Sequence, residues 1–248
     1  MMDKIILENV SKKFISDKKS VEALKDIDLT VKDKEFLVIV GPSGCGKSTL
    51  LNMIAGFEKP SSGTVLLNGK KIERPGPDRG FVFQEFALYP WRTVLQNISF
   101  GLEAQGEDKK ESLKKARSCV GKVGLEGFEN AYPHTLSGGM KQRVGIARAM
   151  VYEPEVLLMD EPFVSLDAQT RNHLQELTLG IWEKTLNTVV FITHNVDEAV
   201  YLADRVAIMT QRPGTIKNFI DVPLPRPRDR TDPKFNSVRK KILSLLEY

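Results

Sequence analysis

The sequence predicts an α/β fold with a mixed, largely parallel sheet and an inserted α-helical subdomain. Short apolar runs of strand length alternate with helical patterns along most of the chain. A glycine-rich turn separates one such run from a helix, and the middle of the chain reads as helical without a strand. With 248 residues, 41% of them hydrophobic, there is apolar material for one large domain or a domain with a lobe.

Taken in order, Ile5–Val10 reads as a strand, and Ile27, Leu29 and Val31 alternate as in a half-buried strand. Phe36–Val40 is apolar throughout, the pattern of a strand covered on both faces. The glycine-rich turn follows, then a helix over Lys47–Ala55. Thr64–Leu67 is a strand closed by an Asn68-Gly69 hairpin turn, and Gly80–Gln84 is another short strand. Residues 88–153 form the helical lobe. There Thr93-x-x-Gln96 and Asp108-x-x-Glu111 read as capping boxes, and Leu113, Ala116, Val120 and Val123 recur at helical spacing. Val156–Met159 returns to a buried strand. A helix over Ala168–Lys184, a strand over Thr188–Thr193, a helix over Asp197–Ala203 and a strand over Arg205–Met209 complete the pattern. The α/β core is thus expected in about 1–87 and 154–225, with 88–153 inserted and 226–248 appended. Pro223–Pro233, rich in Pro and Arg, reads as a linker. In residues 237–246 polar positions interleave with Val238, Ile242, Leu243, Leu245 and Leu246, a short amphipathic helix expected to pack on the lobe.

Bulk properties exclude several classes. The net charge is only +4 and the charges are interspersed, which suits a solvated surface better than a nucleic-acid footprint. Two cysteines, Cys45 and Cys119, rule out a disulfide framework and fit a reducing compartment. The N-terminus has no apolar core of signal-peptide length, and no run approaches the roughly 20 apolar residues of a spanning helix. The expected location is cytoplasmic.

Gly41-Pro42-Ser43-Gly44-Cys45-Gly46-Lys47-Ser48, followed by Thr49, fits G-x-x-x-x-G-K-[ST] in full, with a buried strand before it and a helix after it. Its glycines let the backbone curl so that amides face a phosphate, and the helix dipole points the same way. Lys47 suits the β- and γ-phosphates of ATP, and the Ser48 hydroxyl suits Mg²⁺. Further on, Val156-Leu-Leu-Met-Asp160-Glu161 sets two carboxylates after an apolar run. Alone, such a pair also fits a strand end meeting solvent. With a phosphate loop upstream, Asp160 suits the Mg²⁺ shell and Glu161 the general base for the attacking water.

Leu136-Ser137-Gly138-Gly139-Met140 opens another helix, with Ser137 as its cap and two glycines exposing its amides to an anion. One ATP does not need two separated anion sites on one subunit, so this one is expected to serve ATP held by a second copy.

With these motifs in this order, residues 3–220 resemble the ATPase subunit of an ATP-binding cassette (ABC) transporter, a P-loop NTPase. The resemblance implies further roles. Gln84 matches the glutamine that touches Mg²⁺ and water and links the site to the membrane subunit. Asp167, in Ser165-Leu166-Asp167, matches the loop crossing the dimer seam. His194 matches the switch histidine at the γ-phosphate, and Phe14 falls where an aromatic ring lies under adenine. Ser137, Gly138, Gly139 and Asp167 would meet the partner copy's ATP. Val82–Asn97, Pro133–Val144 and Val196–Arg205 are similar to importers of nitrate, sulfonates, taurine and bicarbonate. In such proteins the Tyr89-Pro90-Trp91 segment receives the permease. Three departures stand out: Met140 for the usual Gln, Asn195 for Asp after the histidine, and Val164-Ser165 for Gly-Ala. The resemblance implies an ATP-dependent homodimer at the cytoplasmic face of the membrane. It also implies integral permease subunits, an extracytoplasmic solute-binding protein acting indirectly, and no nucleic-acid partner. The alternative is a non-transport cassette ATPase acting on nucleic acid or ribosomes, which usually adds coiled-coil arms or a second cassette.

Overall fold

A computed structural model describes residues 2–16 and 19–246. In chain order its elements are β1 (Asp3–Ser16), β2 (Lys19–Lys32), β3 (Phe36–Val40), α1 (Lys47–Ala55), β4 (Ser62–Leu67), β5 (Lys70–Lys71) and β6 (Arg79–Val82). The helices α2 (Val94–Ala104), α3 (Lys109–Lys122) and α4 (Gly138–Met150) follow, with a 3₁₀ turn at Pro133–Thr135. Then come β7 (Val156–Asp160), α5 (Ala168–Thr185), β8 (Thr188–Thr193), α6 (Val196–Leu202), β9 (Arg205–Met209), β10 (Ile216–Asp221) and α7 (Pro233–Leu246). Internal contacts divide the chain into two units, Met1–Gly76 with Asn187–Tyr248, and Pro77–Leu186. The expected lobe boundaries at 88 and 153 both fall inside the second unit.

The first unit holds two kinds of sheet. β3 lies between parallel neighbours β8 and β9, and β10 pairs antiparallel with β9. All five residues of β3 and all six of β8 are buried, as their unbroken apolar runs require. The largely parallel character matches the sequence. A second sheet does not: β2-β1-β4-β5 is antiparallel throughout and separate from the first. Its strands alternate inward Ile5, Leu7, Ile27, Leu29 and Val31 with outward polar residues, the mark of a sheet covered on one face. Strand β10 also escapes sequence reading, because Ile216–Asp221 carries no strong period of its own and is recruited by β9.

The terminal segment corrects two expectations. Residues 223–233 are not a free linker, since Arg226 and Arg228 are bonded into the first unit through the end of α6. Helix α7 packs on α6 and β9 rather than on the lobe, burying Phe235 and Ile242. It starts four residues earlier than expected, at Pro233 behind an Asp232 whose carboxylate accepts the Lys234 amide at 2.7 Å.

In the second unit β6 and β7 pair in parallel, and α2, α3 and α4 pack together. The strand expected over Gly80–Gln84 stops at Val82, where the ladder ends opposite Met159, so Gln84 lies outside it. The Thr93 capping box forms in full, with Thr93 Oγ1 accepting the Gln96 amide at 3.3 Å and Gln96 Oε1 accepting the Thr93 amide at 3.0 Å. At Asp108 only half forms: its carboxylate accepts the Lys110 and Glu111 amides, while Glu111 pairs with Lys114 at 3.7 Å. Buried Asn97 organises the loop before α2. Its Oδ1 accepts the Tyr89 amide at 2.8 Å, and its Nδ2 donates to the carbonyls of Tyr89, Arg92 and Thr93 at 3.2, 3.0 and 3.0 Å. Arg148, in the last turn of α4, donates to the carbonyls of Ala87 and Phe86. Burial pulls its guanidinium below the usual arginine range, against the pull of Tyr89.

Replacing Asn97 with Ala strands several buried backbone groups, at a cost of about 2 kcal/mol. We expect the thermal midpoint of Asn97→Ala to fall by roughly 4–8 °C in calorimetry. A midpoint equal to that of the wild type would show that the Asn97 bonds contribute nothing net.

Candidate nucleotide site

In the first unit the phosphate loop connects the end of β3 to α1. Gly46 is the N-cap of α1, at φ 106° and ψ 9°, and no side chain caps the helix. A Cβ at Gly46 would meet Leu24 Cδ2 at 2.7 Å and the Ala23 carbonyl at 2.9 Å, so backbone angle and packing both select glycine. Lys47 is 5% exposed and its Nζ donates to the carbonyls of Gly41 and Pro42, both at 2.9 Å. The ammonium is thereby drawn back over the loop that precedes it. Ser43, Gly44 and Ser48 are exposed, Pro42 and Thr49 half-buried, and Gly41 and Cys45 buried. Together these form a cradle for an anion: a helix N-terminus without a side-chain acceptor, its dipole, and a fixed cation. Burial pushes the Cys45 thiol up, outweighing the attraction of Lys47, so the residue is a buried filler rather than a thiolate.

Sequence reasoning missed Arg212. From the turn between β9 and β10 its Nε and Nη2 donate to the Gly44 carbonyl at 3.1 and 2.7 Å. That ties the loop backbone at Gly44 to the β9–β10 turn. The contact spans 168 residues and leaves no local pattern. Phe14 sits in β1 opposite Val21 of β2, 41% exposed, with the Lys12 ammonium 4.9 Å from its ring centroid. A ring displayed in this way is able to stack on a base.

His194 follows β8 and is exposed. Its neighbours are locked. Thr193 Oγ1 donates to the buried Glu198 carboxylate at 2.6 Å and accepts the Asn195 amide at 3.0 Å. Asn195 caps α6, its Oδ1 accepting the amides of Asp197 and Glu198. An aspartate would cap in the same way, so the departure at Asn195 keeps the geometry and removes one negative charge beside Asp197 and Glu198.

In the second unit Val156–Met159 are buried and Asp160 and Glu161 are half-buried, so the strand emerges where its carboxylates begin. Glu161 adopts φ 42°, a left-handed conformation uncommon for a non-glycine residue. Asp167 caps α5 by accepting the Thr170 amide at 3.0 Å; the Thr170 hydroxyl first and then this amide hold its carboxyl below the usual range. Ser137 caps α4, accepting the Met140 amide at 3.3 Å. The two glycines after it have a role that sequence reasoning did not assign. A Cβ at Gly139 would lie 2.5 Å from Thr170 Cγ2, and one at Gly138 3.3 Å from Leu166 Cδ2. The start of α4 is thus packed against the Asp167 cap and the start of α5. Exposed Gln84 belongs to the same assembly, because Phe86 reaches Gly138 with its ring and Arg148 holds the carbonyls of Phe86 and Ala87. Ala87 itself sits at φ 47°.

The family model described as ABC transporter matches residues 24–164. An uncharacterised ABC transporter ATP-binding protein of Methanocaldococcus jannaschii is 55% identical, with 100% of this chain and 92% of the relative aligned. An aliphatic sulfonates import ATP-binding protein of Bacillus licheniformis is 49% identical over 90% of this chain and 87% of its own. A dimeric ATP-binding cassette solved in a post-hydrolysis state with ADP and Pi superposes at a TM-score of 0.77, with 34% identity over 88% of this chain and 98% of that one. The chain belongs to the ABC transporter family, and its fold is that of the ATP-binding cassette.

The packing at Gly139 is testable. Gly139→Ala is expected to lower the thermal midpoint, and adding Thr170→Ser, which removes the colliding methyl but keeps the cap amide, is expected to restore most of it. A double variant no more stable than the single one would refute the contact.

Proposed function

We propose that this protein is the ATP-hydrolysing subunit that energises an importer of a small anionic solute, of the sulfonate, nitrate, taurine or bicarbonate kind. The observation that carries this is the cradle at Gly46–Thr49, a helix start without a side-chain cap beside a lysine bonded to its own loop carbonyls. The relatives named for aliphatic sulfonate import support the solute class. Among the described residues no helix is long and apolar enough to cross a membrane, and the proposal assigns that span to permease subunits. The proposed assembly is two copies at the cytoplasmic face of the membrane, with an extracytoplasmic solute-binding protein delivering the solute to the permease.

In this reading the loop amides and Lys47 bind the β- and γ-phosphates, Phe14 stacks on adenine, and His194 contacts the γ-phosphate. Glu161 orients and deprotonates the attacking water. Ser48 offers a hydroxyl to Mg²⁺, and Asp160 and Gln84 offer side-chain oxygens of the type Mg²⁺ prefers. Bound Mg²⁺ would neutralise charge on the β- and γ-phosphate oxygens. Ser137, Gly138, Gly139 and Asp167 meet the ATP of the second copy, so nucleotide joins two protomers and its hydrolysis releases them. ATP does work through its higher affinity for the closed dimer. The exposed Trp91, its ring tilted against that of Tyr89 at 5.7 Å between centroids, is the proposed anchor for the permease.

Lys47→Ala should weaken ATP binding by about 10- to 100-fold, the loss of one or two charge-assisted bonds. A fluorescent ATP analogue would measure it, and unchanged affinity would count against the cradle. Glu161→Gln should bind ATP normally, cut turnover by about 10²- to 10⁴-fold and run as a dimer on size exclusion with ATP. Near-normal turnover, or a monomer at saturating ATP, would defeat the assignment.

A further inference from the structure

Helix α6 is seven residues long, too short to hold itself together. A helix leaves its last four carbonyls without intrahelical partners. Here those of Val200, Tyr201, Leu202 and Ala203 are all taken by two arginines of the terminal segment. Arg228 Nη1 donates to Val200, Tyr201 and Ala203 at 2.6, 3.2 and 2.7 Å, and Arg226 Nη2 donates to Leu202 at 2.6 Å. The remaining groups of Arg228 donate to the carbonyls of Leu224 and Val222 at 3.2 and 3.1 Å. Arg228 is 7% exposed, and every acceptor named here is a backbone carbonyl. Arg230 completes the alternation in Arg226-Pro-Arg228-Asp-Arg230, its guanidinium carbon 3.9 Å from the ring centroid of Tyr201. Cations at a helix C-terminus also meet the negative end of its dipole. The opposite end of α6 is tied as well, since Arg239 of α7 pairs with Asp197 in its first turn at 2.9 Å.

Such a grip is more than chain termination needs. A buried guanidinium is costly unless its donors are matched, and burial together with Arg226 lowers Arg228 to about 10. What α6 carries at its other end is the Asn195 cap, and the residue before that cap is His194. We propose that the segment from Arg226 to Arg239 is a positioning strap for His194, with Arg228 as the principal positioning residue. The strap clamps the C-terminal end of α6. The rigid helix transmits that constraint through Glu198, Thr193 and Asn195 to the histidine backbone. The inference rests on the role given to His194 under the proposed function, and it adds a remote residue on which that role depends.

Two readouts test it in the full-length protein. The first is side-chain NMR of the imidazoles. The chain has three histidines, so His194→Ala assigns the relevant resonances directly. In Arg228→Gln those of His194 are expected to shift or broaden while those of His134 and His173 stay in place. The second is a double-mutant cycle on ATP turnover. Arg228→Gln is expected to lower kcat by about 10- to 100-fold, the usual scale for a misplaced catalytic group, with little change in KM. Combined with His194→Ala it should add nothing further. Arg228→Lys, which keeps the charge but makes fewer bonds, should fall between wild type and Arg228→Gln, and it serves as the test protein if Arg228→Gln does not fold. Unmoved His194 resonances, or fully additive losses of kcat, would overturn the strap. Full turnover by His194→Ala would instead overturn the histidine's own role, leaving the NMR result to decide whether the strap positions that residue.

Discussion

The first turn of α1 has backbone donors and no side chain to cap them. That one constraint organises the first unit. Gly46 has to take a left-handed conformation to start the helix there, and its hydrogen-only side has to fit against Leu24 and Ala23. Lys47 then cannot extend freely, because the carbonyls of Gly41 and Pro42 hold its ammonium over the loop. Arg212 pins the Gly44 carbonyl from a strand connection far away in sequence. Together these contacts fix the loop backbone and the lysine ammonium around the start of α1.

The second unit is organised by close approach rather than by charge. Gly138 and Gly139 let α4 begin against Leu166 and Thr170, and Thr170 is the residue whose amide Asp167 accepts. The same helix ends with Arg148 on the carbonyls next to Gln84. The segment expected to face a partner's nucleotide, the loop after β7 and the loop carrying Gln84 are therefore one packed body. A displacement at any of the three is felt by the others, because dense packing does not deform gradually. Asn97 extends this body to the Tyr89–Trp91 segment proposed for the permease.

The end of β8 shows how a departure from the usual residue keeps the local geometry. Asn195 departs from the residue usual in its branch, yet it accepts the same two amides an aspartate would. The stable part of the arrangement is the cap and the buried Thr193–Glu198 bond, and the charge of the capping residue is secondary.

The sequence by itself determined the parallel core, the phosphate loop, the acidic strand end, the capped start of α4 and the helices with clear stop and start signals. It could do so because strand periodicity, glycine spacing and N-cap chemistry are local, and the residues concerned sit next to one another in the chain. Tertiary structure alone decided the rest. In the antiparallel sheet β1 pairs with β4, a strand far along the chain, and β10 became a strand only because β9 offered an edge. The Arg-Pro stretch read as a linker since nothing nearby explains three alternating arginines. Its meaning appears only where the chain returns to the end of α6 and donates to four of its carbonyls. Long-range hydrogen bonds between a side chain and a distant backbone group leave no periodic trace, so Arg212 and Arg228 were invisible until the fold brought them to the groups they satisfy.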